Sequence, residues 1–183
     1  MGVQRVGGGQ AMTPDEQELI MGLAVGLGEG PTRTLDEVLA HFGESDGEAL
    51  ALRLLRDAME RQDADDVEMA LILHAAAGAS IEEFLEPLTE LFPAEWHRDH
   101  EDIVRSLGRL RSPRTVPTLA LATHWVPEHL HWDENRALAV KAVWALGAIP
   151  GPEARDALEG LRDDGNEIIR ENALNQLARR GEL

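Results

Sequence analysis

The sequence contains no cysteine and no tyrosine. Without a thiol there is no disulfide, no thiolate metal ligand and no cysteine nucleophile, and the absence fits a reducing compartment. Lysine occurs once, serine four times, and aromatic residues make up 4% of the 183 residues. A chain so poor in aromatics, and rich in Ala, Leu and Gly, builds its core from small and aliphatic side chains, which suits close-packed helices better than a sheet. The longest apolar run, Met69 to Ala79, is broken by His74 and is too short to span a bilayer. The first ten residues hold four glycines and no hydrophobic segment, so residues 1–12 read as a flexible tail rather than a signal peptide, with Met12 a candidate second start. The expectation is a soluble cytoplasmic protein.

Acids outnumber bases 34 to 17, a net charge of −17, which repels phosphate backbones and anionic lipid heads unless a local basic patch offsets it. The excess is uneven: residues 1–95 carry 20 acids and 5 bases, residues 96–183 carry 14 and 12. The first half is the polyanionic one, suited to solubility or to attracting a basic partner.

Helix starts are marked by capping boxes, Ser or Thr followed three residues later by Glu, at Thr13–Glu16, Thr34–Glu37, Ser45–Glu48 and Ser80–Glu83. Ser112-Pro113 repeats the device without the acid. Gly28, Gly30, Gly43, Gly78, Gly108, Gly147 and Gly181 are read as helix stops. Between these marks apolar residues recur at three and four, which predicts helices over 14–27, 35–42, 46–62, 65–77, 81–91, 98–109, 113–124, 134–148, 152–163 and 166–179. Trp144, in the nearly all-apolar run from Ala137 to Ile149, is expected in the core. Lys141 interrupts that run, so its charge must reach water or meet an acid such as Asp102 or Glu134.

Aligning Leu107-Gly108, Leu146-Gly147 and Leu177-Ala178, with Ala77-Gly78 a looser match, gives a repeat of 30 to 39 residues. Leu138 to Gly147 (LAVKAVWALG) and Ile169 to Ala178 (IRENALNQLA) agree in their apolar and small positions, and each unit continues through a turn into a second helix. Over about 96–183 the chain resembles the HEAT-repeat family, in particular the HEAT-like repeats of phycobilisome lyases and the small bacterial HEAT-repeat proteins. Over 13–95 helix pairing and the Gly78 register carry the likeness. The resemblance implies an all-α fold, an α-solenoid of about ten helices stacked as helical hairpins in a right-handed superhelix. It would be continuous from 13 to 183, with an acidic region 13–95 and HEAT-like repeats 96–183. It also implies second helices lining a concave face that holds another protein.

The longest repeat carries extra residues at His124 to Glu134, and Glu95 to Asp102 opens the helix before it; together they hold five of seven His and three of four Trp. His97, His100 and Glu101 share a helix face at i, i+3 and i+4, and with His124, His129 and His131 they form the one candidate metal-ligating group. It is not the His-Glu-x-x-His motif. HEAT-like di-iron hydroxylases carry His-Glu pairs in several repeats, whereas one such pair occurs here. No nucleophile elbow, phosphate loop or dinucleotide fingerprint is present, and Ser45, Ser80 and Ser112 are assigned to caps. HEAT-like DNA glycosylases need a basic concave surface, but the second helices here offer Glu82, Glu83, Glu86 and Glu90. Arg105, Arg109, Arg111 and Arg114 are read as internal ion-pair partners, two of them in reach of Glu101 or Asp102.

These observations predict a non-catalytic protein-binding module without a cofactor, which binds neither membrane nor nucleic acid. Its contacts are expected from Trp96, His97, His100, Glu101, Trp125, His131, Trp132, Asp133 and Glu134, with Glu83, Glu86 and Glu90 steering a basic partner. Small acidic solenoids of this kind resemble immunity proteins that neutralise a basic toxin. The alternatives are a metal-dependent enzyme built on His97, His100 and Glu101, or a general scaffold or adaptor.

Overall fold

The computed structural model describes residues 10–24, 30–78 and 82–181, and every regular element among them is a helix. The chain divides into two compact units, residues 1–81 and 82–183. The division falls ahead of the change in charge and repeat register near residue 95, because the helix at 85–91 packs with the elements that follow it.

In the first unit, α1 (Pro14–Met21) and α2 (Leu35–Phe42) start on the capping boxes read in the sequence. The Thr13 and Thr34 hydroxyls each accept from the N–H three residues on at 3.3 Å, while Glu16 and Glu37 each accept from the Thr backbone N–H at 2.7 Å. The Thr34 N–H thereby holds the Glu37 carboxyl below its ordinary range. α1 stops at Met21 rather than at 27, because the Gly22 carbonyl accepts from Thr32 N and Arg33 N at 2.9 Å, docking the returning chain there. Gly28, read as a helix stop, lies outside the described residues, as does Ser80 of the fourth capping box.

α3 (Gly47–Arg61) is capped by Asp46, not by the expected Ser45–Glu48 box: Asp46 Oδ1 accepts from Glu48 N at 3.0 Å and Ala49 N at 3.1 Å. Glu48 does not reach back because it turns inward, its Oε2 2.9 Å from His74 Nδ1 on α4 (Ala64–Ala77), with both side chains buried. Fully buried Leu50, Leu55 and Ala58 of α3 pack with Val67, Ala70 and Leu73 of α4 in a helical hairpin. Asp66, with no exposed surface, joins α4 to the start of the chain. It accepts from Met12 N at 2.9 Å and Gln17 Nε2 at 2.9 Å and pairs with Arg61, so Met12, the last residue of the predicted tail, is tied to α4; residues 1–9 lie outside the described residues.

The second unit contains α5 (Leu85–Leu91), α6 (His100–Leu110), α7 (Val116–Ala122), α8 (Ala137–Ala148), α9 (Pro152–Glu159) and α10 (Glu167–Arg180). Short 3-10 turns precede α5 and α7, and a third lies in the α7–α8 connection at Glu128–Leu130. α6, α8 and α10 lie side by side with α8 in the middle. α7 packs on α8 and α9, α9 on α8 and α10, and α5 on α6 and on the turn that opens α7. One row of first helices is thus backed by a row of second helices, the layering of an all-α solenoid.

Two glycines of the repeat register do not stop helices. Gly108 lies within α6 and Gly147 within α8; the caps fall on Arg111, at φ 48°, and on Ile149. Their role is close approach. A Cβ at Gly108 would lie 2.8 Å from Ala145 Cβ of α8, and one at Gly147 would overlap the end of Gln176 of α10. Because residues 145 and 176 occupy the same place in successive repeats, the glycine of each first helix seats the next one by the same contact. Gly43, Gly78 and Gly181 do take the left-handed cap conformation.

Trp144 is not in the core: it is 51% exposed. α8 is buried through Leu138, Ala139, Ala142, Val143 and Leu146, which leaves Lys141, Trp144 and Ala148 along one outer strip.

Candidate functional site

The residues singled out near positions 95–102 and 124–134 converge in the second unit, but as a packed aromatic and imidazole cluster. α6 starts at His100, and the segment from Phe92 to Asp99 turns back beneath it. Phe92 is fully buried, and Trp125 meets it edge-on at 5.2 Å between ring centroids and meets His100 at 5.0 Å. His97 and His100 are buried and stacked at 4.4 Å; Trp96 lies edge-on to His97 at 5.2 Å and His129 tilts over His100 at 5.1 Å.

Hydrogen bonding fixes the protonation of these rings. His97 Nε2 donates to the Leu91 carbonyl at 2.9 Å while its Nδ1 accepts from Asp99 N at 3.1 Å, so the neutral tautomer is specified at both nitrogens. His100 Nε2 donates to the Ala94 carbonyl at 3.1 Å. Burial pushes both imidazoles below their ordinary pKa, and the adjacent His97 and His129 help carry His100 down to about 4.

This arrangement corrects the reading of His97 and His100 as partner contacts. Both are inside, with a nitrogen of each committed to a backbone carbonyl. Glu101, the third member, pairs instead with Lys141 of α8, an acid the sequence reading had not assigned to that lysine. His124 Nδ1 lies 3.6 Å from Asp164 Oδ2, and His131 is exposed. Among the described residues, no three His, Asp or Glu side chains are grouped to hold a metal ion.

The 124–134 connection is held down rather than loose. Trp125, Val126, Pro127, Leu130 and Arg136 enclose, with α8, a cavity of about 10 Å³, room for no more than one water. Asp133 accepts from Ala137 N at 2.6 Å and from Asn135 N at 3.0 Å, capping α8, so its carboxylate serves the fold. Trp132 is the exception: it stands 77% exposed, its indole N–H donating to the His129 carbonyl at 2.7 Å, with exposed His131 and Glu134 beside it.

On the second row of helices Glu83, Glu86 and Glu90 are all exposed, and none has a cation within ion-pair distance among the described residues. Glu86 and Glu90 line an open groove of about 440 Å³ with Leu85, Thr89 and Arg114. Of the basic cluster, Arg114 pairs with Glu82 at 2.9 Å and Arg105 with Asp102, as the sequence suggested, whereas Arg111 Nε donates to the Ala148 carbonyl at 3.1 Å and Arg109, expected to meet Glu101 or Asp102, has no carboxylate partner among the described residues. Of the twelve residues predicted to meet a partner, Glu83, Glu86, Glu90, His131, Trp132 and Glu134 are exposed. Trp96, Glu101, Trp125 and Asp133 are half-buried, and His97 and His100 are buried.

No helix among the described residues is long and apolar enough to cross a membrane. The protein-family model described as PBS lyase HEAT-like repeat matches residues 138–164, which run from α8 through α9 into the loop before α10. No curated protein matches the chain.

Proposed function

We propose that this HEAT-repeat protein is a non-catalytic, cytoplasmic binding module that takes a basic protein partner on the acidic edge formed by Glu83, Glu86 and Glu90. HEAT-like repeats make a helical scaffold suited to protein interactions. The observation that carries the finer reading is that these three carboxylates face solvent with no cation on them and that two of them line a groove. Unpaired surface charge of one sign raises the rate of encounter with an oppositely charged protein more than it raises affinity. Exposed Trp132, with His131 and Glu134, supplies a separate apolar contact. Neutralisation of a basic toxin by an immunity-type protein is the particular case that the acidic balance favours. The use of His97, His100 and Glu101 in packing and ion pairing supports the non-catalytic reading.

The test is affinity capture with the full chain and, in parallel, with the triple variant Glu83→Lys, Glu86→Lys, Glu90→Lys. The expected partner is basic, is lost from the triple variant, and associates more slowly as salt is raised. A partner retained by the triple variant, with a salt-independent association rate, overturns the acidic-edge reading.

A further inference from the structure

The row of first helices carries a second surface of opposite character. Between α6 and α8 runs an open groove of about 530 Å³, within the range of about 300–1,000 Å³ common for ligand sites. Gly108, Val140, Ala145 and Ala148 line it with apolar surface, and Trp144 stands at its side. The indole is held in place: its Nε1 donates to Asn172 Oδ1 at 2.8 Å, and the Arg179 guanidinium sits 5.3 Å from the ring centroid. With the indole N–H already satisfied within the chain, what remains exposed is apolar ring surface in a fixed orientation. Such an anchor binds with little further loss of side-chain entropy.

The charged residues that line this groove are cations, in a chain whose balance is −17. Arg105, Arg109 and Lys141 line it, and Arg179 covers Trp144. Asp102 and Glu101 neutralise Arg105 and Lys141. Arg109 and Arg179 have no carboxylate partner among the described residues. An apolar trough beside two uncompensated guanidinium groups is complementary to a peptide segment in which a bulky apolar residue is flanked by Asp or Glu. The apolar lining favours such a segment over a nucleic acid strand, whose continuous row of phosphates would need a run of cations where Arg105 and Lys141 are already paired.

We propose that the α6–α8 groove is a docking site for an acidic, apolar-anchored peptide segment of a partner protein, with Trp144 as the anchor and Arg109 and Arg179 as the carboxylate contacts. It is separate from the acidic edge on the second row. A protein with both surfaces is an adaptor that holds partners of opposite charge.

The experiment is selection of short, randomised displayed peptides on the full-length chain. The recovered peptides are then synthesised and titrated by fluorescence anisotropy against the wild-type chain and the Trp144→Ala, Arg109→Glu and Arg179→Glu variants. The expected peptides pair Leu, Phe or Trp with Asp or Glu. Trp144→Ala and Arg109→Glu each weaken them by about tenfold or more, and replacing their acids by Lys abolishes binding. An oligothymidylate strand does not compete, and the Glu83, Glu86, Glu90 triple variant binds them unchanged. All of the substituted residues are exposed, and a melt of each variant checks its fold; if Trp144→Ala alone unfolds, Arg109→Glu decides. Recovery of no peptide, of basic peptides, or of peptides indifferent to Trp144 and Arg109 overturns the proposal, as does competition by the oligonucleotide.

Discussion

The imidazole rings of His97 and His100 stack face to face, 4.4 Å between centroids and 21° from parallel, and each donates Nε2–H to a backbone carbonyl, His97 to that of Leu91 at the end of α5 and His100 to that of Ala94 in the segment before α6. Neither has room for a second proton without placing a buried charge against the other ring. Burial, first, and then the His97 and His129 rings hold His100 at about 4, against an ordinary value near 6.5. Below 6.5 the unfolded chain therefore binds a proton that the folded chain refuses. Stability contributed by this group is complete above that value and is lost as pH falls toward about 4, to the extent of roughly 3 kcal/mol. Urea unfolding of the wild-type and His100→Asn chains at pH 7 and at pH 4.5 measures the difference. The wild type is expected to lose more stability than the variant over that interval, and an NMR titration placing His100 near 6.5 would contradict the assignment.

What the sequence revealed about these elements depended on the range of the interaction that fixes them. Thr13 and Thr34 were legible because a capping box is closed within four residues. At Ser45 the same pattern misled, since whether Glu48 reaches back or turns inward is decided by His74, 26 positions away. The Leu-Gly register was legible as a repeat, but its reason was not: Gly108 and Gly147 answer to neighbouring helices rather than to their own ends. Trp144 was misplaced because a run of apolar residues does not say which side faces out. Lys141 did say so. Residues 141, 144 and 148 lie on one helical strip, so the single lysine of α8 marked the solvent side that Trp144 shares.

The cap of α3 gives a direct contrast between neighbours. Asp46→Ala removes the oxygen that accepts from Glu48 N and Ala49 N and is expected to cost about 1 kcal/mol in urea unfolding. Ser45→Ala is expected to cost a few tenths at most. The reverse order would restore the Ser45 cap.

Lys141 and Glu101 form an ion pair between α8 and α6 with both side chains about one-third exposed. Removing Glu101 leaves the lysine over the apolar groove, so Glu101→Ala and Lys141→Ala are expected to be non-additive. A double-mutant cycle read by thermal or urea unfolding should give a coupling of about 0.5–1 kcal/mol, falling as salt is raised. Strict additivity would mean that the pair forms without stabilising the two helices.

The recurring glycine contact makes two substitutions of identical chemistry unequal. At Gly147 an added methyl meets Cγ, Cδ and Oε1 of buried Gln176, which unlike an alanine has torsions that can carry these atoms aside, so Gly147→Ala is expected to cost less than Gly108→Ala, about 1 kcal/mol, part of it offset by the better helix propensity of Ala. At Gly108 the obstacle is Ala145 Cβ, 2.8 Å away, which has no torsion to relieve the overlap; α6 and α8 must separate. Gly108→Ala is therefore expected to cost about 1–3 kcal/mol despite the same gain in propensity. Transferring the methyl rather than adding it identifies the cause. The double variant Gly108→Ala, Ala145→Gly removes the overlap and should be more stable than Gly108→Ala alone, although Ala145→Gly by itself lowers stability by about 1 kcal/mol. Equal melting temperatures for Gly108→Ala and Gly147→Ala, or no rescue in the double variant, would mean that the approach of the helices is not set by this contact.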